Sequence, residues 1–169
     1  MSKARSRRDQ IVLVSRQLLE DDGPDALTMR AVAGAMGIKA PSLYKHVKSR
    51  HEIETLLSQQ ALIEIGVALD KAGPDLAKIG KSYRAWALAN PALYELATST
   101  PLDRENLEEG VESSAEAALL EAVNSNRDRA RACWAMAHGL VMLELSGRFP
   151  PDADIQAAWT SGLNAMSGH

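Results

Sequence analysis

Helix-forming residues with apolar positions every three to four residues run through this chain from end to end. That period leaves it little to fold into except packed helices. Alternating β-branched runs, the mark of half-buried strands, do not occur, and aromatic residues are only 4% of the 169. Gly and Pro cut the pattern at Gly23-Pro24, Gly37, Pro41, Gly73-Pro74, Asn90-Pro91, Pro101, Gly147 and Pro150-Pro151. The pieces predict an all-α fold of about nine helices. The first four run over about Arg5–Glu20, Thr28–Met36, Pro41–Val47 and Ser49–Ala72. The rest cover about 75–89, 92–99, 103–124, 127–146 and 153–166.

The four N-terminal pieces carry specific start and stop signals. Ile11, Val14, Leu18 and Leu19 form the inner stripe of the first. Thr28 is the predicted N-cap of the second, Gly37 its stop, and Pro41 suits the first turn of the third. Ser49-Arg50-His51-Glu52 reads as a capping box opening a long fourth helix with Ile53, Leu56, Leu57 and Ile63 apolar.

TMRAVAGAMGIKAPSLYKHV is the most informative stretch. Two short helices that cross steeply need a small residue at the contact, which Ala33 supplies. The turn needs a residue tolerant of positive φ, which Gly37 supplies. Leu43 is the apolar anchor of the second helix, supported by Val32, Met36 and Ile38. This is a helix-turn-helix pattern.

Charge agrees with it. The first 50 residues carry ten Lys/Arg against five acids, a net of +5, while the other 119 carry nine against seventeen, a net of −8. The basic part is the electrostatic footprint expected of a nucleic-acid binder, although the whole chain is acidic. In a major groove the second helix would present Lys39, Ala40, Ser42, Tyr44, Lys45 and His46. Ser42 and Lys45 suit base edges, and Ala40 or Pro41 suits a thymine methyl. Thr28, Arg30, Tyr44, Lys48 and Arg50 complete the expected DNA-binding set, with Thr28, Tyr44, Lys48 and Arg50 on phosphates. The basic tail Lys3-Arg5-Arg7-Arg8 suits backbone or minor groove.

These residues resemble the DNA-binding domain of the tetracycline-repressor (TetR) family over roughly the first 57 positions. The family pattern is met by Gly23, Leu27-Thr28, Ala33, Gly37-Ile38, Leu43-Tyr44, His46, Lys48 and Arg50. Val47 stands where the family usually has Phe. WAMAHGLVMLELSGRF resembles the family's C-terminal domains of the Trp-His-Gly type, with Trp134, His138 and Gly139 at those positions. YRAWALANPALYEL is similar to their central helices. The resemblance implies a DNA-binding domain over 1–50 and a helical ligand-binding and dimerisation domain over 51–169. It further implies a repressor released from a pseudo-palindromic operator when an unidentified small molecule binds. Trp86, Tyr94, Met136, His138 and Met142 are the expected pocket. Release would come from a swing of the fourth helix that spoils the spacing of the recognition helices.

Dimerisation is also read from the residues. From Ala130 to Leu145 the chain is apolar almost all round, and such a helix must be covered on every side. Ile155, Trp159, Leu163 and Met166 make one stripe on the last helix. Two such helices per subunit predict a four-helix homodimer interface, with Trp134 and Gly139 in it and Trp159 as its anchor.

Other classes fit poorly. The single Cys133 excludes a disulfide framework, and His46, His51, His138 and His169 lack metal spacing. Cys133 and His138 point about 140° apart on a helix, and Gly-rich phosphate loops are absent. The expectation is therefore no enzyme, cofactor or metal. With no apolar run of about 18 residues and no leader-like segment, it is also no membrane span and a reducing, cytoplasmic location. The remaining alternative is a dimeric helical interaction protein of the same fold that has lost ligand response or DNA binding. The retained Lys39, Tyr44, Lys45, Lys48 and Arg50 argue against it.

Overall fold

A computed structural model describes residues 6–167, and among these it has nine α-helices and no strand. They are α1 (Arg7–Asp22), α2 (Met29–Ala35), α3 (Ala40–Leu43), α4 (Arg50–Ala72), α5 (Leu76–Ala89), α6 (Pro91–Ser99), α7 (Val111–Ala122), α8 (Arg127–Leu145) and α9 (Ile155–Met166). A 3₁₀ turn, Pro24–Ala26, joins α1 to α2. The all-α expectation holds, with one correction. Residues 103–110 are not helical, and α7 starts only after Gly110, whose φ of +84° breaks the helical path. Asp103 bonds with Asn106, His51 and Thr55 instead of capping a helix.

The helices gather into two compact units. The first holds residues up to Ala61 together with Asn90–Glu109. Ile11 and Leu19 of α1, Val32 of α2, Leu43, Val47, and Ile53 and Leu57 of α4 form its core, all buried. Leu93 and Tyr94 of α6 complete it. α1 starts two residues later than expected because Ser6 and Asp9 make a capping box: the Ser6 hydroxyl accepts the Asp9 N–H at 3.1 Å, and the Asp9 carboxylate accepts the Ser6 N–H at 2.9 Å. Glu20 near its far end accepts the N–H groups of Ala92 (3.3 Å) and Leu93 (3.1 Å), so a side chain of α1 caps α6. Arg16 donates to the Asn90 side chain beside it.

The second unit holds Leu62–Ala89 and the residues from Gly110 onward. α5 packs on α7, α8 and α9, and α8 buries Ala130, Cys133, Ala137 and Val141. Its polar knot is Glu144. Arg84 of α5 donates to one Glu144 oxygen through Nε (3.0 Å) and Nη2 (2.8 Å), and Trp159 of α9 donates Nε1 to the other at 2.6 Å. A buried carboxylate needs such partners, and here they tie three helices together.

Close backbone approach is tested by glycine. A Cβ at Gly66 of α4 would lie 3.1 Å from Ala115 Cα and 3.3 Å from Ser114 O of α7, both backbone atoms that cannot turn aside. At Gly34 of α2 it would meet nothing within 4 Å. Gly66→Ala should therefore lower stability in urea denaturation, because overpacking costs about 1–3 kcal/mol. Gly34→Ala should raise it by about 0.5–1 kcal/mol through helix propensity alone. Shifts of the same sign would contradict this packing.

Candidate nucleic-acid interface

The helix-turn-helix forms as its residues dictate. Thr28 caps α2, its hydroxyl accepting the Ala31 N–H at 3.1 Å and keeping its own hydrogen to donate. Gly37 adopts φ +67°, and Ile38 N–H reaches back to Ala33 O at 3.0 Å, closing the helix. Ala33, Leu43 and Val47 are buried, so α3 is seated on its apolar side. Val47 fills the position with less volume than Phe and is still only 1% exposed. α3 proper is one turn, but Tyr44, His46 and Val47 N–H groups continue helical bonding to Ala40 and Leu43.

This seating leaves the expected recognition face outward. Arg30, Lys39, Pro41, Lys45, His46 and Lys48 are exposed, Ala40 and Ser42 half-buried, and Tyr44 is 53% exposed. Among the described residues no ion pair holds Arg30, Lys39, Lys45 or Lys48. Unpaired surface cations in one patch are what a polyanion displaces counterions to meet.

Arg50 differs from the other cations. Its Nε donates to Glu54 at 2.7 Å and its Nη2 to Pro24 O at 3.0 Å, pinning the 3₁₀ turn to α4. A phosphate would have to use Nη1 or the second Nη2 hydrogen, or break that clasp. The capping box at Ser49 is half realised. Ser49 accepts the Glu52 N–H at 3.2 Å, but the Glu52 carboxylate accepts the Lys48 N–H at 2.7 Å and pairs with Arg8 at 3.5 Å. Arg7 and Arg8 lie in α1, whereas Lys3 and Arg5 lie outside the described residues.

Beside Lys48 opens a polar cleft of about 260 Å³ lined in part by Arg8, Lys48, His51, Glu52, Thr55, Asp103 and Asn106. Sequence reading did not find it, because Asp103 and Asn106 come from a segment about 50 residues further on. The Asn106 side chain holds the Asp103 carboxyl below the usual carboxylate range, aided by His51 and Thr55 against the opposing effect of burial. Among the described residues no cluster of three metal-ligating side chains occurs.

The expected pocket residues divide. Tyr94 is fully buried in the first unit, while Trp86, Met136, His138 and Met142 are half-buried in the second. Tyr94 is thus a core residue of α6. Trp86 donates Nε1 to Glu64 at 3.1 Å, and the Met136 sulfur lies where a Gly162 Cβ would meet it at 2.8 Å. His138 stands 6.0 Å from the Trp134 ring.

The interface set divides too. Trp134 is 52% exposed, though its Nε1 donates to the Tyr83 hydroxyl at 3.2 Å, and a Cβ on Gly139 would meet open space. Ile155 and Met166 are half-buried. Trp159 (2% exposed) and Leu163 are covered within their own protomer. Glu144 draws the Trp159 indole inward, and Leu163 packs over Gly80.

A helix-turn-helix with an outward cationic face, in an all-helical chain, defines a DNA-binding transcriptional regulator. The comparisons agree. Residues 11–53 match the bacterial regulatory proteins of the tetR family, and residues 76–166 match the tetracyclin repressor-like C-terminal domain. The chain belongs to the TetR family. It is 29% identical to an uncharacterised HTH-type transcriptional regulator of Mycobacterium tuberculosis, Rv0681, over 93% of this chain and 78% of that protein. It superposes on the solved regulatory protein SCO4313 with a TM-score of 0.77 and 25% identity, covering 96% of this chain and 95% of that one. For TetR from Acinetobacter baumannii AYE the TM-score is 0.71 at 17% identity, over 96% and 95% of the two chains. Among the described residues no helix is long and apolar enough to cross a membrane.

Burial pushes the His138 imidazole below its ordinary range. The fold therefore holds it neutral while the unfolded chain protonates first, below about pH 6.5. His138 thus opposes folding progressively as pH falls from there towards its lower folded value. Urea denaturation at pH 7 and pH 5 should show a loss on acidification that is smaller in His138→Gln. Equal losses in both proteins would contradict this.

Proposed function

We propose that this chain binds a pseudo-palindromic DNA operator as a homodimer, represses transcription there, and leaves when a small molecule binds the second unit. The observation that carries the DNA reading is the exposed, unpaired set Lys39, Lys45 and Lys48 around the half-exposed Tyr44 on a seated α3. Ser42 and Lys45 read base edges, with Ala40 and Pro41 against a thymine methyl. Thr28, Arg30, Tyr44, His46 and Lys48 hold phosphates, joined by Arg50 through the N–H groups its clasp leaves free.

Support for a dimer comes from α8. Its buried stripe leaves the opposite face with Ala132, Ala135, Leu143 and Gly139, on which nothing of the same protomer packs at the glycine. A second copy is the economical cover, and two recognition helices about 34 Å apart then meet successive turns of one face of DNA. The ligand arm rests on family membership and on the half-buried Trp86, Met136, His138 and Met142. A bound ligand acts by favouring a posture of α4 that the operator does not.

Selection of bound sites from random duplexes tests this reading, and a two-fold symmetric site is the expected product. On that site Lys48→Ala should weaken binding to all sequences and flatten the salt dependence by about 0.9 in log–log slope per phosphate lost. Lys45→Ala should instead relax preference at one base position per half-site, by about 1–3 kcal/mol of discrimination. Recovery of no sequence, or no effect of either change, would overturn it.

A further inference from the structure

His51, Thr55 and Gln59 stand every fourth residue along the first turns of α4 and so share one face of it. Thr55 and Gln59 are buried. A buried polar group is costly without a partner. The Thr55 hydroxyl donates to His51 O of its own helix at 3.0 Å and also lies near Asp103. Gln59 finds its partner at residue 108, and the exposed His51 reaches Asp103. His51 Nε2 and Thr55 Oγ lie 3.1 and 3.3 Å from Asp103 Oδ2. Gln59 Oε1 accepts the Glu108 N–H at 3.0 Å. From the other side Asn106 Nδ2 donates to both Asp103 oxygens, at 3.1 and 2.9 Å, and its N–H closes a turn on Asp103 O at 3.2 Å. The carboxylate is thus clasped between its own loop and α4.

The loop is itself anchored. It follows α6, which Glu20 and Arg16 of α1 hold at its first turn. Residues 90–109 therefore form a strap across the first unit, fixed to α1 at one end and to α4 at the other. To the apolar seating of Ile53 and Leu57 these hydrogen bonds add direction and register. Lys48 stands two residues before α4, whose first residue is Arg50.

We propose that Asp103 is a positioning residue for DNA binding: through His51 and Thr55 it fixes the first turns of α4, and with them Lys48 and Arg50, in the posture that phosphate contact requires. The proposal rests on the DNA-binding reading above. It also opposes what simple electrostatics expects. Asp103 is an acid lining the same cleft as Lys48 and Arg8, so removing its charge should strengthen attraction to a polyanion. Fixing α4 predicts the reverse.

The test uses the full chain and its selected duplex, with active protein titrated and every variant kept well below its melting temperature. Asp103→Ala should weaken binding at least fivefold, the lower end of ordinary coupling between sites. Asp103→Asn loses the same charge but keeps an oxygen to accept from His51 or Thr55, and should stay within about twofold of the unaltered chain. His51→Gln added to Asp103→Ala should bring little further loss, because the two act as one unit. Without DNA, hydrogen exchange at the amides of residues 52–56 should quicken in Asp103→Ala and not in Asp103→Asn. Unchanged or tighter binding by Asp103→Ala overturns the proposal, as do equal losses in the Ala and Asn variants. Failure of the unaltered chain to bind any duplex overturns the DNA reading itself, and is distinguished by that arm alone.

Discussion

The crossing of α2 and α3 is the contact on which the rest depends. It requires a small residue at Ala33, a left-handed turn at Gly37 and a buried anchor at Leu43, and all three conditions are met within eleven residues. α2 packs on α1 and α3, and Val32, Leu43 and Val47 are buried. What remains to face water is a row of cations without carboxylate partners. The DNA-binding face is therefore a consequence of how the core is filled, and a larger residue at Ala33 would disturb both together.

The same reasoning explains why this part of the chain was legible in sequence. The turn bonds and caps that shape the helix-turn-helix, such as Thr28 to Ala31 and Ile38 to Ala33, lie within a few residues of their partners, so spacing carries them. The features that sequence did not disclose are those made over long separations. Nothing in the 103–124 stretch announces that Asp103 will bond to His51 and Thr55, about 50 residues earlier, instead of opening a helix. Nothing near Asn90 announces that Glu20 will cap α6. Tyr94, which reads as a pocket residue, is fully buried beside Leu93 in α6. Trp159 reads as an interface anchor from its apolar stripe alone. Only the position of Glu144 on α8, fifteen residues earlier, decides that the indole turns inward. The Ser49 box shows the same limit on a smaller scale, since Glu52 chooses the Lys48 amide over the Ser49 one.

Within the second unit the balance between covered and uncovered surface is set by polar groups as much as apolar ones. Glu144, Arg84 and Trp159 join α5, α8 and α9, and the guanidinium also lies 5.9 Å over the Trp159 ring. With that side of α8 committed, Trp134 and Leu143 remain at the surface. On the proposed two-fold operator such a surface would pair the subunits and space the recognition helices in one arrangement.

Hydroxyl-radical footprinting of the full chain on its selected duplex tests this most directly. Two protected patches are expected on one face of the DNA, with centres one helical turn apart, about 34 Å, or a small multiple of it. A single protected patch at saturating protein, or protection spread evenly round the duplex, would contradict it.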